Sequence, residues 1–192
     1  GLAYSRKGML DEAISEYRKV LVSYPRLAEP HYLIGMAYGE KGMLEEAIIE
    51  FRVAVELDPQ YTEAHLYLGL SYDAKGKLDK AIAEFEKVLE LRPNDAVASI
   101  NLAEAHKNLG LNHLNRGMLD EAIPHLKKAT EINPAFVDAR MHLAKAYEGK
   151  GSLEEAISEY QKLITLDPEL ASAHHELALL FQKAGMPQKA QE

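Results

Sequence analysis

The 192-residue chain contains no cysteine and no tryptophan. Without cysteine there is no disulfide, no thiolate nucleophile and no cysteine-based zinc site, and this lack assigns no compartment. Basic residues are outnumbered, 22 Lys and Arg against 30 Asp and Glu, giving a formal net charge of −8. A nucleic-acid backbone or an anionic membrane needs a cationic face, so neither is expected as a partner. No apolar run approaches the roughly 18–20 residues of a membrane span. Catalytic signatures are missing as well: HExxH, GxxxxGK[ST] and GxSxG do not occur. No enzyme activity, cofactor or metal site is therefore expected. Apolar residues make up 47% of the chain, which suffices for a packed core.

The heptapeptide GMLDEAI stands at residues 8–14 and again, letter for letter, at 117–123. Relatives begin at Gly42, Gly76, Gly151 and Gly185, so successive copies are spaced 34, 34, 41, 34 and 34. Pro25, Pro59, Pro93, Pro134 and Pro168 keep the same metre, and so do Ala13, Ala47, Ala81, Ala122, Ala156 and Ala190. Three residue types holding one period mark a repeat array. Each unit reads as two helices. In residues 28–61, Leu33, Ile34, Ala37 and Tyr38 recur at helical spacing, Gly42 supplies a stop, and Leu44, Ala47, Ile48, Phe51 and Val55 form a second apolar series closed by Pro59. No strand alternation occurs.

A period of 34 with Leu-Gly, Tyr, Gly, Ala, Phe and Pro at fixed offsets resembles the tetratricopeptide repeat (TPR). In residues 62–95 these are Leu68, Gly69, Tyr72, Gly76, Ala81, Phe85 and Pro93. One departure is that the usual tryptophan early in the first helix is His31, His65, Ser99, Arg140 or His174. The resemblance implies an all-α fold, an α-solenoid of helix-turn-helix repeats forming a right-handed superhelix. It covers residues 1–192 as a single array: a partial repeat 1–27, full repeats 28–61, 62–95, 96–136 and 137–170, and a partial repeat 171–192.

Two residue classes invite chemistry and are better read as scaffold. His31, His65 and His174 share one repeat position, so each sits in its own repeat and not around one ion. The pairs Asp11-Glu12, Glu45-Glu46, Asp120-Glu121 and Glu154-Glu155 open second helices, where carboxylates complement exposed N–H groups. Pro124 is placed near such a start, where the missing N–H costs least.

At about 100° per residue, two faces separate on the first helix of each repeat. One is apolar or small and is expected to be buried; the other, in the resembled family, lines a concave groove where an extended peptide or partner helix binds. The candidate groove residues are Glu29, Tyr32, Met36, Glu63, Leu66, Tyr67, Leu70, Asp73, Asn101, Asn108, Met141 and Lys145. Tyr, Leu and Met on a face with acidic edges suit a protein or peptide with apolar anchors and some basic character. The competing reading is that these side chains pack against neighbouring first helices. The Lys, Arg and Asn clamp with which TPR co-chaperones hold acidic C-terminal tails is absent, so such a tail is not expected as ligand.

Repeat 96–136 is 41 residues long. Seven residues close two helical turns to within about 20°, so an insertion of seven can lengthen a helix without rotating its faces. Leu102-Ala103 and His106 are followed seven later by Leu109-Gly110 and His113, so both registers match. The spacing predicts one helix from about Asp95 to Asn115, about two turns longer than its counterparts; the competing arrangement ends it at Gly110 and makes LNHLNRG a wide loop. The leading expectation is a non-catalytic interaction scaffold. Structural self-association through uncapped ends, or a role as adaptor segment of a larger enzyme such as a glycosyltransferase, stands beside it.

Overall fold

The computed structural model describes residues 8–185. Among these residues there are ten α-helices and no strand: α1 (Leu10–Ser23), α2 (Ala28–Glu40), α3 (Leu44–Leu57), α4 (Thr62–Ala74), α5 (Leu78–Leu91), α6 (Ala96–Leu114), α7 (Leu119–Ile132), α8 (Val137–Lys150), α9 (Leu153–Leu166) and α10 (Ala171–Lys183). The chain divides into two compact units, Gly1–Leu102 and Ala103–Glu192. The expected partial repeat at the N-terminus before Gly8, and the last marker Ala190 with the chain end at Glu192, lie outside the described residues.

The turn between paired helices is set by glycine. Gly42 adopts φ +72° and Gly117 the same value, a left-handed conformation that a Cβ would oppose. At Gly42 the backbone closes with Gly42 N–H donating to Gly39 O at 2.9 Å and Met43 N–H to Tyr38 O at 2.9 Å. The paired acids follow at once. Asp11 and Glu12, Glu45 and Glu46, Asp120 and Glu121, and Glu154 and Glu155 all lie in a helical first turn, without side-chain capping bonds. They favour the helix dipole and also reach forward: Lys41 pairs with Asp11, Lys75 with Glu45, and Lys150 with Asp120 at 2.6 Å. Each pair spans thirty residues, from the start of one second helix to the end of the next first helix. As exposed pairs they add little each.

Pro124 departs from its expected place. Helix α7 begins at Leu119, so Pro124 is its sixth residue, beyond the first turn. An N–H there would have bonded the Asp120 carbonyl, and that bond is lost.

Small residues let the helices of a pair meet. Ala13, Ala47, Ala81, Ala122 and Ala156 are fully buried. A Cβ on Gly35 would lie 2.7 Å from the Phe51 ring, one on Gly69 2.7 Å from Phe85, and one on Gly110 2.7 Å from Leu126. Each of these partners stands sixteen positions beyond its glycine.

Helix α6 has 19 residues where α2 and α4 have 13. Gly110 lies inside it. Because Gly110 takes the place of Gly35 and Gly69, α7 packs on the second of the two registers. The seven additional residues therefore precede the paired part of α6 as residues 96–102.

Candidate functional site

The first unit carries an aromatic cluster on α2, α3 and α4 and on the turn before α4. The Tyr32 ring centroid lies 5.9 Å from Phe51, 5.0 Å from Tyr61 and 5.8 Å from Tyr67, and Phe51 stacks on Tyr67 at 6.0 Å. Tyr32 and Tyr67 are half-buried, so each ring is partly packed against Phe51 and partly open. Burial, followed by neighbouring Tyr67, Tyr61 and Glu63, pushes the Tyr32 hydroxyl up to about 12. Burial, then Glu29, Glu63 and Asp58, pushes Tyr61 to about 12 as well. Both hydroxyls are thus neutral hydrogen-bonding groups at the edge of an apolar surface.

Beside this cluster opens a depression of about 320 Å³, lined by Met36, Gly39, Glu40, Leu44, Phe51, Tyr67, Leu70 and Ser71. That volume falls at the lower end of the roughly 300–1,000 Å³ usual for ligand pockets. Its floor is Phe51, buried beneath Tyr67. No Cβ occupies the space above Gly39, which keeps the rim open. The carboxylate in the lining is Glu40, and Glu29 and Glu63 act on the adjoining tyrosines. Arg92 donates to Glu63 at 2.5 Å, holding its carboxyl below the usual range.

Of the expected groove residues, Tyr32, Met36, Tyr67 and Leu70 come together here, with Glu29 and Glu63 alongside. Leu66 is half-buried on α4, and Asp73 is half-buried one turn beyond Leu70. Asn101 donates its amide to the Val97 carbonyl of its own helix at 2.8 Å, which occupies one of its donors. Asn108, Met141 and Lys145 belong to the second unit. There Met141 is half-buried against the core of Ala144, Ala156, Tyr160 and Leu163, so packing takes much of its surface. Lys145 is exposed and Asn108 half-buried.

The repeated His or Arg position is structural. His31 Nδ1 stands 2.7 Å from Glu50, His65 Nδ1 2.6 Å from Glu84, and Arg140 Nη1 donates to Glu159 at 2.7 Å, each partner nineteen residues on. His65 Nε2 and Arg140 Nη2 also reach the carbonyls of Pro59 and Pro134, at 3.2 and 2.8 Å. In the irregular repeat the position is held by His106 and not by Ser99, because His106 faces His125 across the same nineteen residues. Among the described residues no group of three His, Cys, Asp or Glu is arranged to hold a metal ion.

Two further depressions did not stand out in the sequence. One of about 420 Å³ is lined by charged and apolar side chains, including Asp11, Arg18, Val22 and Tyr38, with Arg18 donating to the Tyr38 hydroxyl at 2.8 Å. Another of about 360 Å³ includes Lys127, Thr130, Tyr147 and the Arg140–Glu159 pair. Neither offers the apolar floor found beside Tyr67.

Models of the TPR repeat match residues 37–76 and 149–185, and models of the tetratricopeptide repeat match 61–135 and 1–26. No curated protein matches the chain. Among solved structures, YrrB, described as a TPR protein with an unusual peptide-binding site, aligns at TM-score 0.56 with 23% identity over 91% of this chain and 86% of its own. MamA aligns at TM-score 0.57 with 29% identity over 88% and 95%. MamA from Desulfovibrio magneticus RS-1 aligns at 0.52 with 26% identity over 85% and 89%. The 34-residue metre, the glycine turns and the small-residue helix contacts are those of this repeat, and the chain belongs to the tetratricopeptide repeat family.

Proposed function

We propose that the chain is a non-catalytic scaffold that docks a protein segment on the face formed by Tyr32, Met36, Tyr67 and Leu70. Membership of the tetratricopeptide repeat family supports a protein-interaction scaffold, and YrrB is a structural neighbour described as binding a peptide. The observation that carries the site is the apolar depression beneath Met36 and Leu70, floored by Phe51 and bordered by Glu40. It would take one apolar anchor side chain, and the tyrosine hydroxyls beside it would bond the backbone of the bound segment. Glu29 and Glu40 favour a lysine or arginine next to that anchor, while an acidic tail would be repelled. Asn108, Met141 and Lys145 lie in the second unit and stand apart from this site as candidate contacts of that unit alone.

Display of a random peptide library against the wild-type protein and a Tyr32→Ala/Leu70→Ala variant tests this reading, with circular dichroism as a control for folding. Selected sequences should combine an apolar anchor with a basic neighbour and should fail to bind the folded variant. Equal binding to both proteins would refute the site.

A further inference from the structure

Three of the eight histidines gather in the irregular repeat. His106 Nδ1 and His125 Nδ1 are 3.1 Å apart, joining α6 to α7, and the His113 ring stacks on His125 at 5.7 Å with planes 4° apart. His106 is buried, and its Nε2 has no hydrogen-bond partner; nor has the buried Nδ1 of His113. In three other repeats this seam position joins a cationic or titratable side chain to a carboxylate: His31 to Glu50, His65 to Glu84, Arg140 to Glu159. Here the carboxylate is replaced by an imidazole.

We propose that the His106–His113–His125 cluster is an acid-responsive joint, in which protonation turns the α6–α7 seam from a hydrogen-bonded imidazole pair into facing cations and loosens that helix pair. The 3.1 Å bond needs one ring to donate its Nδ1–H and the other to accept with a lone pair. When both rings are imidazolium, two N–H groups oppose each other and the bond is lost. Any proton added to His106 Nε2 enters a buried place without an acceptor, which costs free energy beyond charge repulsion.

His125 and Lys128 act on His106 in the same sense as its burial. Burial first, then His125 and then Lys128 of α7, push His106 down to about 4. On α6, Lys107 is engaged by Glu104 at 2.8 Å and by Asp138 of α8 at 3.4 Å. The seams of His31 and His65 hold a carboxylate where this one holds a second imidazole. Metal capture is a poor account of the cluster. The parallel rings of His113 and His125 keep their in-plane lone pairs in separate planes, so they do not converge on one ion.

Amide hydrogen exchange, corrected for its intrinsic pH dependence and followed from about pH 7.5 to about pH 4, reads the joint directly. Protection in the second half of α6 and in α7 should fall about tenfold or more, while α2–α5 changes little. His125→Glu restores the carboxylate of the other repeats and should abolish the acid response or reverse its sign. Should that variant not fold, His125→Gln, which removes the second titrating ring, should reduce the response. Unchanged protection of wild-type α6 and α7, or an undiminished acid response in the folded variant, would overturn the proposal.

Discussion

Gly110 on α6 lies so close to α7 that a Cβ built on it would stand 2.7 Å from Leu126 Cγ and 3.3 Å from the Ala122 carbonyl oxygen. Helix propensity alone favours alanine there by about 1 kcal/mol. Overpacking a tight contact costs about 1–3 kcal/mol. Gly110→Ala should therefore be destabilising on balance, whereas Gly39→Ala, with nothing within 4 Å of the new methyl, should stabilise by about 0.5–1 kcal/mol. Urea unfolding of the two variants checks the opposite signs.

Arg140 and Glu159 form a pair buried on both sides, with side chains 9% and 10% exposed. Glu159→Leu strands the guanidinium and should cost about 3–5 kcal/mol. The double change Arg140→Met/Glu159→Leu should recover most of that loss, because an apolar pair of similar volume avoids the desolvation of two charges. A double-mutant cycle by thermal unfolding measures both.

Alkaline stability follows from Tyr32 and Tyr61. Their folded values of about 12 lie above the ordinary 10. The unfolded chain therefore loses these protons first, so the contribution is intact below pH 10 and is lost as pH rises towards 12. The melting temperature should fall over that interval, and Tyr32→Phe should flatten the fall. Ultraviolet titration of phenolate should show Tyr32 and Tyr61 among several hydroxyls that ionise late, since burial also raises Tyr72, Tyr147 and Tyr160.

Pro124 interrupts α7 at its sixth residue on an exposed surface. Pro124→Ala restores an N–H for the Asp120 carbonyl and removes the ring clash, a gain of about 1–2 kcal/mol after the larger entropy of the unfolded alanine chain. A higher midpoint of thermal unfolding checks it.

Much of the fold was legible because it is metrical. Gly42 and Gly117 need a left-handed turn, and Ala47 and Ala81 need a close helix contact, so residue type and period together announced the helix pairs. Which of two matching registers α7 packs on was not legible, since Leu102-Ala103 and Leu109-Gly110 satisfy the same pattern. The separation of Gly110 from Leu126, equal to that of Gly35 from Phe51, decides it. Pro124 was misplaced although Asp120-Glu121 marked the helix start, because it stands five residues beyond Leu119 and so past the first turn. At the candidate site, helical periodicity placed Tyr32, Met36, Tyr67 and Leu70 on one face of α2 and α4, and these four side chains meet around one depression or ring cluster. The pocket floor was not legible, because Phe51 belongs to α3 and reads as ordinary core. The histidine joint escaped notice because a residue nineteen positions away carries no local signal.

The most direct measurement is the dissociation constant of a display-selected peptide, read by fluorescence anisotropy, for the wild-type protein and for a Met36→Glu/Leu70→Glu variant whose melting temperature is unchanged. Two charges in the apolar depression should weaken binding about tenfold or more, since burying an unpaired carboxylate beside Phe51 is costly. An unaltered dissociation constant would contradict docking on this face.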